Sequence, residues 1–336
     1  MSDLVISIVN HNSVDPLRNC LQSVLASCDI TESAGIAPCD IFVVDNLCEN
    51  RAHDMIVKEF PHVNIIVNSR VLGFGANHNQ VLERNLNNSK FVLVLNPDTI
   101  LLPGAMAHML EFMDSHEKVA ICGPRLHDAQ GVAKEPIRKA LFLRRDAILL
   151  GLYVLGISSR VFGQILLLSR WLRRRPSAET TEPESITSAQ EPMALFCEGV
   201  DGACMLIRSE MLRKVGLFDE RFFLYYEETD LCLRAIQNGW QIAFLPGAEV
   251  FHSGGYSTKP QYHANLTIFA RSCLAFYHKH QGSRAVWVLR IQVFGAAIAN
   301  LIRWTVYYAV LPSRRREAAA WLAFSKSLLK VACQPI

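Results

Sequence analysis

Five nearly continuous apolar runs, 4-LVISIVN-10, 41-IFVVD-45, 63-VNIIV-67, 91-FVLVL-95 and 119-VAICG-123, restrict the fold of this chain more than any other feature. A strand with one face in water alternates apolar and polar residues. A strand covered on both faces is apolar throughout, as in parallel sheets sandwiched by helices. Between the runs, 16-PLRNCLQSVLAS-27, 76–88 and 104–116 place apolar residues at helical spacing. The alternation predicts an α/β sheet flanked by helices. Further strands are expected in 200-VDGACMLIR-208, 241-QIAFL-245 and 248-AEVFH-252, and further helices over 261–280 and 285–310.

Ligands of such sheets bind beyond the carboxyl ends of the strands. The residues there are Asn10-His11-Asn12, Asp45-Asn46, Asn68 and Asn96-Pro97-Asp98, mostly small and oxygen-bearing. Asn96-Pro97-Asp98 reads first as a turn, since Asn-Pro starts turns. It also offers a hard carboxylate, Asp98, for Mg²⁺ or Mn²⁺ on a diphosphate, with Asn96 beside it. Asp45-Asn46 is either a turn or a nucleoside contact, a carboxylate accepting from a base N–H or a ribose hydroxyl. In 68-NSRVLGFGANHNQ-80, Gly73 and Gly75 precede a helix. The bland reading is a loop–helix junction; the functional one puts a phosphate or ribose near the helix N-terminus. Asp201-Gly202-Ala203 opens a strand with small residues that permit close approach. His252 ends another strand, before Ser253-Gly254-Gly255, and is either structural or a ligand.

The segment 222-FFLYYEETDLCLRA-235 sets three carboxylates directly behind aromatic residues. A helix N-terminus favours acids, which accounts for one of them. Phe222, Phe223, Tyr225 and Tyr226 as an apolar wall, together with repulsion between neighbouring acids, would raise a carboxyl pKa. That tunes a general base able to take a proton from a sugar hydroxyl.

The chain is long enough for a sizeable core. A net charge of +3 gives no ground for a nucleic-acid partner. The cationic residues cluster instead, at Arg144-Arg145, Arg170 with Arg173-Arg174-Arg175, and Arg314-Arg315-Arg316, each next to an apolar segment. Such pairing fits an anionic membrane surface. The ten cysteines show no zinc spacing and fit a reducing compartment. No signal peptide is expected, because Met1-Ser2-Asp3 leads straight into a strand. Arginines interrupt the apolar segments 147–169 and 285–312, which predicts helices seated on a surface or buried, with a spanning helix as the lesser option. The Pro-, Ser-, Thr- and Glu-rich stretch 176–192 reads as a linker or lid. The expected organisation is a first domain over 1–280 with an apolar, basic insertion at about 137–192, then a helical, membrane-associating region over 281–336.

Taken in order, Val9-Asn10-His11-Asn12, Val44-Asp45-Asn46, Gly73-Phe74-Gly75 with Asn77 and Asn79, Asn96-Pro97-Asp98, Asp201-Gly202-Ala203, Gly216-Leu217-Phe218-Asp219-Glu220, the Glu227–Arg234 helix and His252 with Gly254-Gly255 resemble a family-2 inverting glycosyltransferase of GT-A fold, in the rhamnosyltransferase-like branch. The resemblance covers about residues 3–280. It implies a mixed, mostly parallel nucleotide-diphospho-sugar-binding sheet. By the same resemblance, Asp45 binds base or ribose, Asp98 and His252 hold Mg²⁺ or Mn²⁺, and Asp201 and Gly202 lie near the donor sugar. The remaining donor-site residues would be Asn10, Asn12, Asn46, Asn68, Gly73, Phe74, Gly75, Asn79 and Asn96. The family base is the second acid of a Glu-Asp pair. Here that place holds Glu228, so Glu227 and Asp230 stay open as alternatives. His11 stands where a Tyr is often found.

The implied reaction is a metal-assisted single displacement with inversion, moving L-rhamnose from dTDP-rhamnose to a lipid-linked polysaccharide at the cytoplasmic face of the inner membrane. Two alternatives accompany it: another donor, such as UDP-galactofuranose or UDP-glucose, or an inactive sugar-nucleotide- or polysaccharide-binding partner in a membrane complex.

Overall fold

The computed structural model describes residues 3–33, 39–47, 52–133, 193–254 and 262–334. These form two units, one drawn from residues up to 133 with 193–254, the other from 262–334. Tyr262–Gln281 groups with the helices that follow it, whereas the sequence placed a boundary after residue 280. The basic clusters at 144–145 and 170–175, the apolar run 147–169, the stretch 176–192 and Gly255 lie outside the described residues.

The first unit is built on a mixed nine-stranded sheet. Its strands are β1 (Leu4–Asn10), β2 (Cys39–Asp45), β3 (Asn64–Val67), β4 (Phe91–Leu95), β5 (Thr99–Leu101), β6 (Val119–His127), β7 (Leu195–Cys197), β8 (Cys204–Arg208) and β9 (Gln241–His252). The order is β3-β2-β1-β4-β8-β6-β9-β5, with β7 also on β9. Strands β3, β2, β1 and β4 run parallel, so Asn10, Asp45 and the turn after Leu95 share one rim. Strand β8 enters antiparallel between β4 and β6, which brings the Asp201-Gly202-Ala203 turn to that rim.

The apolar runs are explained by burial on both faces, because successive side chains of a strand point oppositely. Leu4, Ile6, Ile8, Phe91, Leu93 and Leu95 pack with helices α1 (Val14–Ser33), α2 (Ala52–Glu59) and α4 (Ala105–Ser115). Val5, Val92, Val94, Met205 and Ile207 pack with α3 (Phe74–Asn85), α5 (Ser209–Val215) and α6 (Glu227–Gln237) on the other face.

The strands expected at 241–245 and 248–252 are one strand. Its pairing with β6 slips between Pro124 and Arg125, opposite Leu245 and Glu249. Pro246 cannot donate to a ladder, so the irregularity falls where the sequence breaks the pattern. Beyond it, β9 continues alongside β5 with Thr99 opposite His252. That extension carries His252 to the Asp98 turn.

The second unit comprises α7 (Tyr262–Gln281), α8 (Ser283–Val310) and α9 (Arg315–Cys333), packed pairwise. Helix α8 is long and apolar enough to cross a membrane, by length and composition.

Candidate active site

The turn at the end of β4 is a β-turn and a display device at once. Thr99 N–H donates to the Asn96 carbonyl at 3.3 Å and Thr99 Oγ1 donates to it at 2.8 Å. Pro97 occupies the second turn position, where its fixed φ is favourable. Asp98 Oδ1 lies 3.3 Å from His252 Nε2, and Asn96 Nδ2 lies 3.4 Å from the same nitrogen. Ser253 approaches the Asp98 carboxylate and donates its backbone N–H to the Asp98 carbonyl. Burial works to raise the Asp98 pKa, but the hydrogen bond and charge of His252, with help from Ser253, outweigh it and hold the carboxyl below its usual range.

A second cluster adjoins the first. Asn96 N–H donates to the Ala203 carbonyl at 2.9 Å, and Ala203 N–H donates to Asp201 Oδ1 at 2.9 Å. A Cβ on Gly202 would sit 3.5 Å from Glu228 Cβ and 3.7 Å from Phe74 Cζ. The first turn of α6 therefore faces the Asp201-Gly202 turn, which is itself bonded to the Asp98 turn. Burial, then the charge of Asp201, pushes the Glu228 carboxyl up to about 7, against hydrogen bonds from its own and Thr229's backbone. Glu228 is partly exposed, whereas Glu227 is buried, its Oε2 without a hydrogen-bond partner among the described residues. Burial and the neighbouring Glu228 charge hold Glu227 well above the normal range.

Tyr225 and Tyr226, which deliver the chain to this helix, both have φ of 71°. Two consecutive non-glycine residues in the left-handed region cost about 1–2 kcal/mol each. The rest of the segment over-determines them: the Phe222 side chain is fully buried, and the Phe223 carbonyl accepts from Phe74 N–H at 2.8 Å. The expected aromatic wall is divided, since the Phe223 ring is exposed.

Asp230 has a different environment from the two glutamates. It is fully buried and receives Arg234 Nε at 2.7 Å. Arg234 also donates to the carbonyls of Val215, Gly216 and Leu217, tying α6 to the preceding turn. The spacing of Asp230 and Arg234, four residues apart, was a sequence signal for this pair.

Several rim residues are occupied by the scaffold. Asn46 Oδ1 accepts from Leu72 N–H and from Asn68 Nδ2, and Asn68 Nδ2 also reaches Asn77 Oδ1 at 2.6 Å. Asn77 returns two bonds to the Leu72 and Gly73 carbonyls. Asn79 clasps the Phe218 backbone by both amide atoms and reaches Glu220. The two glycines have a packing reason: a Cβ at Gly73 would lie 2.6 Å from the Phe223 carbonyl oxygen, and one at Gly75 would lie 2.7 Å from Phe218 Cβ. On these faces, the glycines admit protein rather than a phosphate. Buried His78, pushed down to about 3 by burial, is bonded to Ser7 and sits edge-on to Phe74, bracing the start of α3.

Asp45 is buried at the end of β2, and its Oδ1 has no hydrogen-bond partner among the described residues. The Asn10 carbonyl accepts Asn46 N–H, and Asn10 Oδ1 accepts from Ser13 N–H. Asn12 has φ of 55° and is exposed. His11 Nδ1 donates to the Asn46 carbonyl at 3.0 Å, which leaves Nε2 as the acceptor when the ring is neutral.

Among the described residues, no group of three or more His, Cys, Asp or Glu side chains is assembled for a metal ion. Asp98 and His252 nevertheless fit a shared divalent cation. They supply one hard oxygen and one imidazole nitrogen, and nucleotide-site Mg²⁺ and Mn²⁺ characteristically use few protein ligands, completing their shell with phosphate oxygens and water.

A family model described as glycosyltransferase like family 2 matches residues 3–306. The N-acetylglucosaminyl-diphospho-decaprenol L-rhamnosyltransferase of Mycobacterium tuberculosis is 24% identical over 266 residues, which is 75% of this chain and 80% of that protein. The low-salt glycan biosynthesis hexosyltransferase Agl10 of Haloferax volcanii is 21% identical over 257 residues, covering 75% of this chain and 68% of its own. Among solved structures, a mannosyltransferase of Pyrobaculum calidifontis in complex with GDP-Man and Mn²⁺ superposes with a TM-score of 0.51 at 10% identity, over 98% of this chain and 86% of that one. GalNAc-T7 with UDP, GalNAc and Mn²⁺ gives 0.51 at 14% identity, over 81% of this chain but 47% of its own. Both share the GT-A fold with this chain.

Proposed function

The chain belongs to glycosyltransferase family 2, and from that premise we propose that it moves a hexose from a nucleotide-diphosphate donor to a lipid-linked acceptor by a single inverting displacement. The proposed sugar is L-rhamnose, from dTDP-rhamnose, in keeping with the mycobacterial relative. The acceptor class fits association with the cytoplasmic face of a membrane. The observation that carries the proposal is the junction of two clusters: Asp98 with His252 on one side and Glu228 on the other, joined through Asn96, Ala203 and Gly202.

The buried Asp45 Oδ1, without a hydrogen-bond partner among the described residues, would accept from the nucleoside of the donor. Asp98 and His252 would hold a divalent cation, which supplies charge neutralisation on the leaving diphosphate. Asp201 and Gly202 would bound the sugar, the glycine leaving room beside Glu228. Glu228 takes the proton of an acceptor hydroxyl as its oxygen attacks the anomeric carbon. The bond to the diphosphate breaks on the opposite face, and the configuration inverts. Glu228 suits this role better than Glu227: it is the more exposed of the pair, and its carboxyl is pushed up to about 7, as suits a general base working near pH 7. Asp230, Asn46, Asn68 and Asn79 are assigned to holding the site rather than touching substrate.

The test is transfer of radiolabelled sugar to a polyprenyl-diphosphate-linked acceptor, with Mg²⁺ or Mn²⁺, from dTDP-rhamnose and from UDP-galactofuranose and UDP-glucose. Transfer from dTDP-rhamnose alone supports the proposal. Transfer from a UDP-sugar alone would replace the donor, and failure with every donor would remove the transferase reading of the site.

A further inference from the structure

Helix α8 is turned inside out for a helix in water. The side chains it presents outward are Trp287, Ile291, Phe294, Ile298 and Ile302, between 37% and 68% exposed. Their spacing of three and four residues makes a single stripe. Asn300, a polar residue of the same helix, is fully buried and its Oδ1 accepts from Arg303 Nη2 at 2.8 Å. The opposite side of α8, including Ala285, Leu289, Val293 and Ala297, is buried in the unit it forms with α7 and α9. A stripe of this kind, unbroken over about four helical turns, is far larger than the scattered apolar residues ordinary on a soluble surface.

From this stripe we infer that α8 lies flat in the interface of an anionic bilayer, with Trp287, Ile291, Phe294, Ile298 and Ile302 in the acyl boundary and flanking arginines on lipid phosphates. Charge complementarity selects this occupant. From Ser283 through Arg316 there is no Asp or Glu, while Arg284 precedes the stripe and Arg314, Arg315 and Arg316 follow it, all exposed. A flat seat, rather than a crossing, follows from the neighbours. Helices α7 and α9 pack along α8 yet expose Arg271, Lys326 and Lys330, charges that are costly inside hydrocarbon. The inference deepens the membrane part of the proposed function and does not depend on the chemistry at Glu228.

The experiment uses the full chain and vesicles of phosphatidylcholine with or without phosphatidylglycerol, in a sedimentation assay, alongside Ile291→Gln/Ile298→Gln and Arg314→Gln/Arg315→Gln/Arg316→Gln variants. The expected results are binding to the anionic vesicles, at least tenfold weaker binding of the isoleucine variant, and severalfold weaker, salt-insensitive binding of the arginine variant. Brominated lipids should quench the emission that is lost in Trp287→Phe. Undiminished vesicle binding by the isoleucine variant would overturn the inference. So would a vesicle-free dimer that Phe294→Gln dissociates, or proof by protease access that the two ends of α8 lie on opposite sides of the bilayer. Transfer to a water-soluble acceptor analogue, measured on the same variants, separates the two proposals. Retained transfer with lost vesicle binding upholds both, and absent transfer in the wild type with vesicle binding intact condemns only the enzymatic one.

Discussion

Replacing Glu228 by Gln should make the protein more stable at alkaline pH while disabling it. Burial pushes the carboxyl up to about 7 in the folded chain, against 4.5 ordinarily. The folded state therefore binds the proton more tightly, and between those values stability falls as pH rises. The contribution is fully present below about pH 4.5 and lost above about 7. At 1.36 kcal/mol per pH unit the full difference is about 3 kcal/mol. Solvent reaches one side of Glu228, and Glu227 shares in the titration, so the recoverable part is on the order of 1–3 kcal/mol. An amide has the shape of the protonated acid and carries no charge to desolvate. Glu228→Gln should thus melt about 2–8 °C above wild type at pH 8 and within about 1 °C of it at pH 4.5. Thermal unfolding by circular dichroism at the two pH values is the assay. An equal gain at both pH values would mean improved packing, and no gain at pH 8 would mean that Glu228 is not held in a medium that disfavours its charge. Either result would refute the reasoning.

Other perturbations test the remaining parts of the site. The pH profile of kcat/KM should rise with an acidic limb near 7, belonging to the Glu227–Glu228 pair; a limb near 4.5 would contradict the assignment. Asp98→Asn, or chelation of divalent ions from the wild type, should lower transfer by at least about 10², with the chelated enzyme rescued by Mn²⁺ and the variant not. Asp230→Asn leaves the half-buried Arg234 without its charge partner and should cost about 1–3 kcal/mol in urea unfolding. Gly73→Ala drives a methyl into the Phe223 backbone, so it should lower stability by about 1–3 kcal/mol and reduce kcat by displacing the segment before Glu228.

Much of the sheet was legible because its strands are buried on both faces, and continuous apolar runs such as 91-FVLVL-95 admit few other readings. The rim was legible for the same reason: where an apolar run stops at Asp45 or Asn96, the strand stops too. Short elements without a period were not. Strands β5 and β7 have three residues each, and α5 has seven. What small polar residues do at the rim depends on who faces them, which is a tertiary fact. Asn46, Asn68 and Asn79 look like ligand contacts in sequence, yet their amides brace loops. Gly73 and Gly75 have the composition of a phosphate loop, but the 218–223 backbone and side chains fill the space. The two left-handed tyrosines carry no one-letter signal at all, because left-handed backbone is ordinarily written in glycine.

The most direct measurement of the central assignment is donor affinity and turnover taken together on Glu228→Gln and Glu227→Gln. Isothermal titration with the nucleotide sugar and single-turnover transfer to the lipid-linked acceptor would supply both. Donor affinity within about threefold of wild type, with turnover at least about 10² lower for Glu228→Gln and the smaller loss for Glu227→Gln, is the predicted result. Full turnover by Glu228→Gln would contradict it.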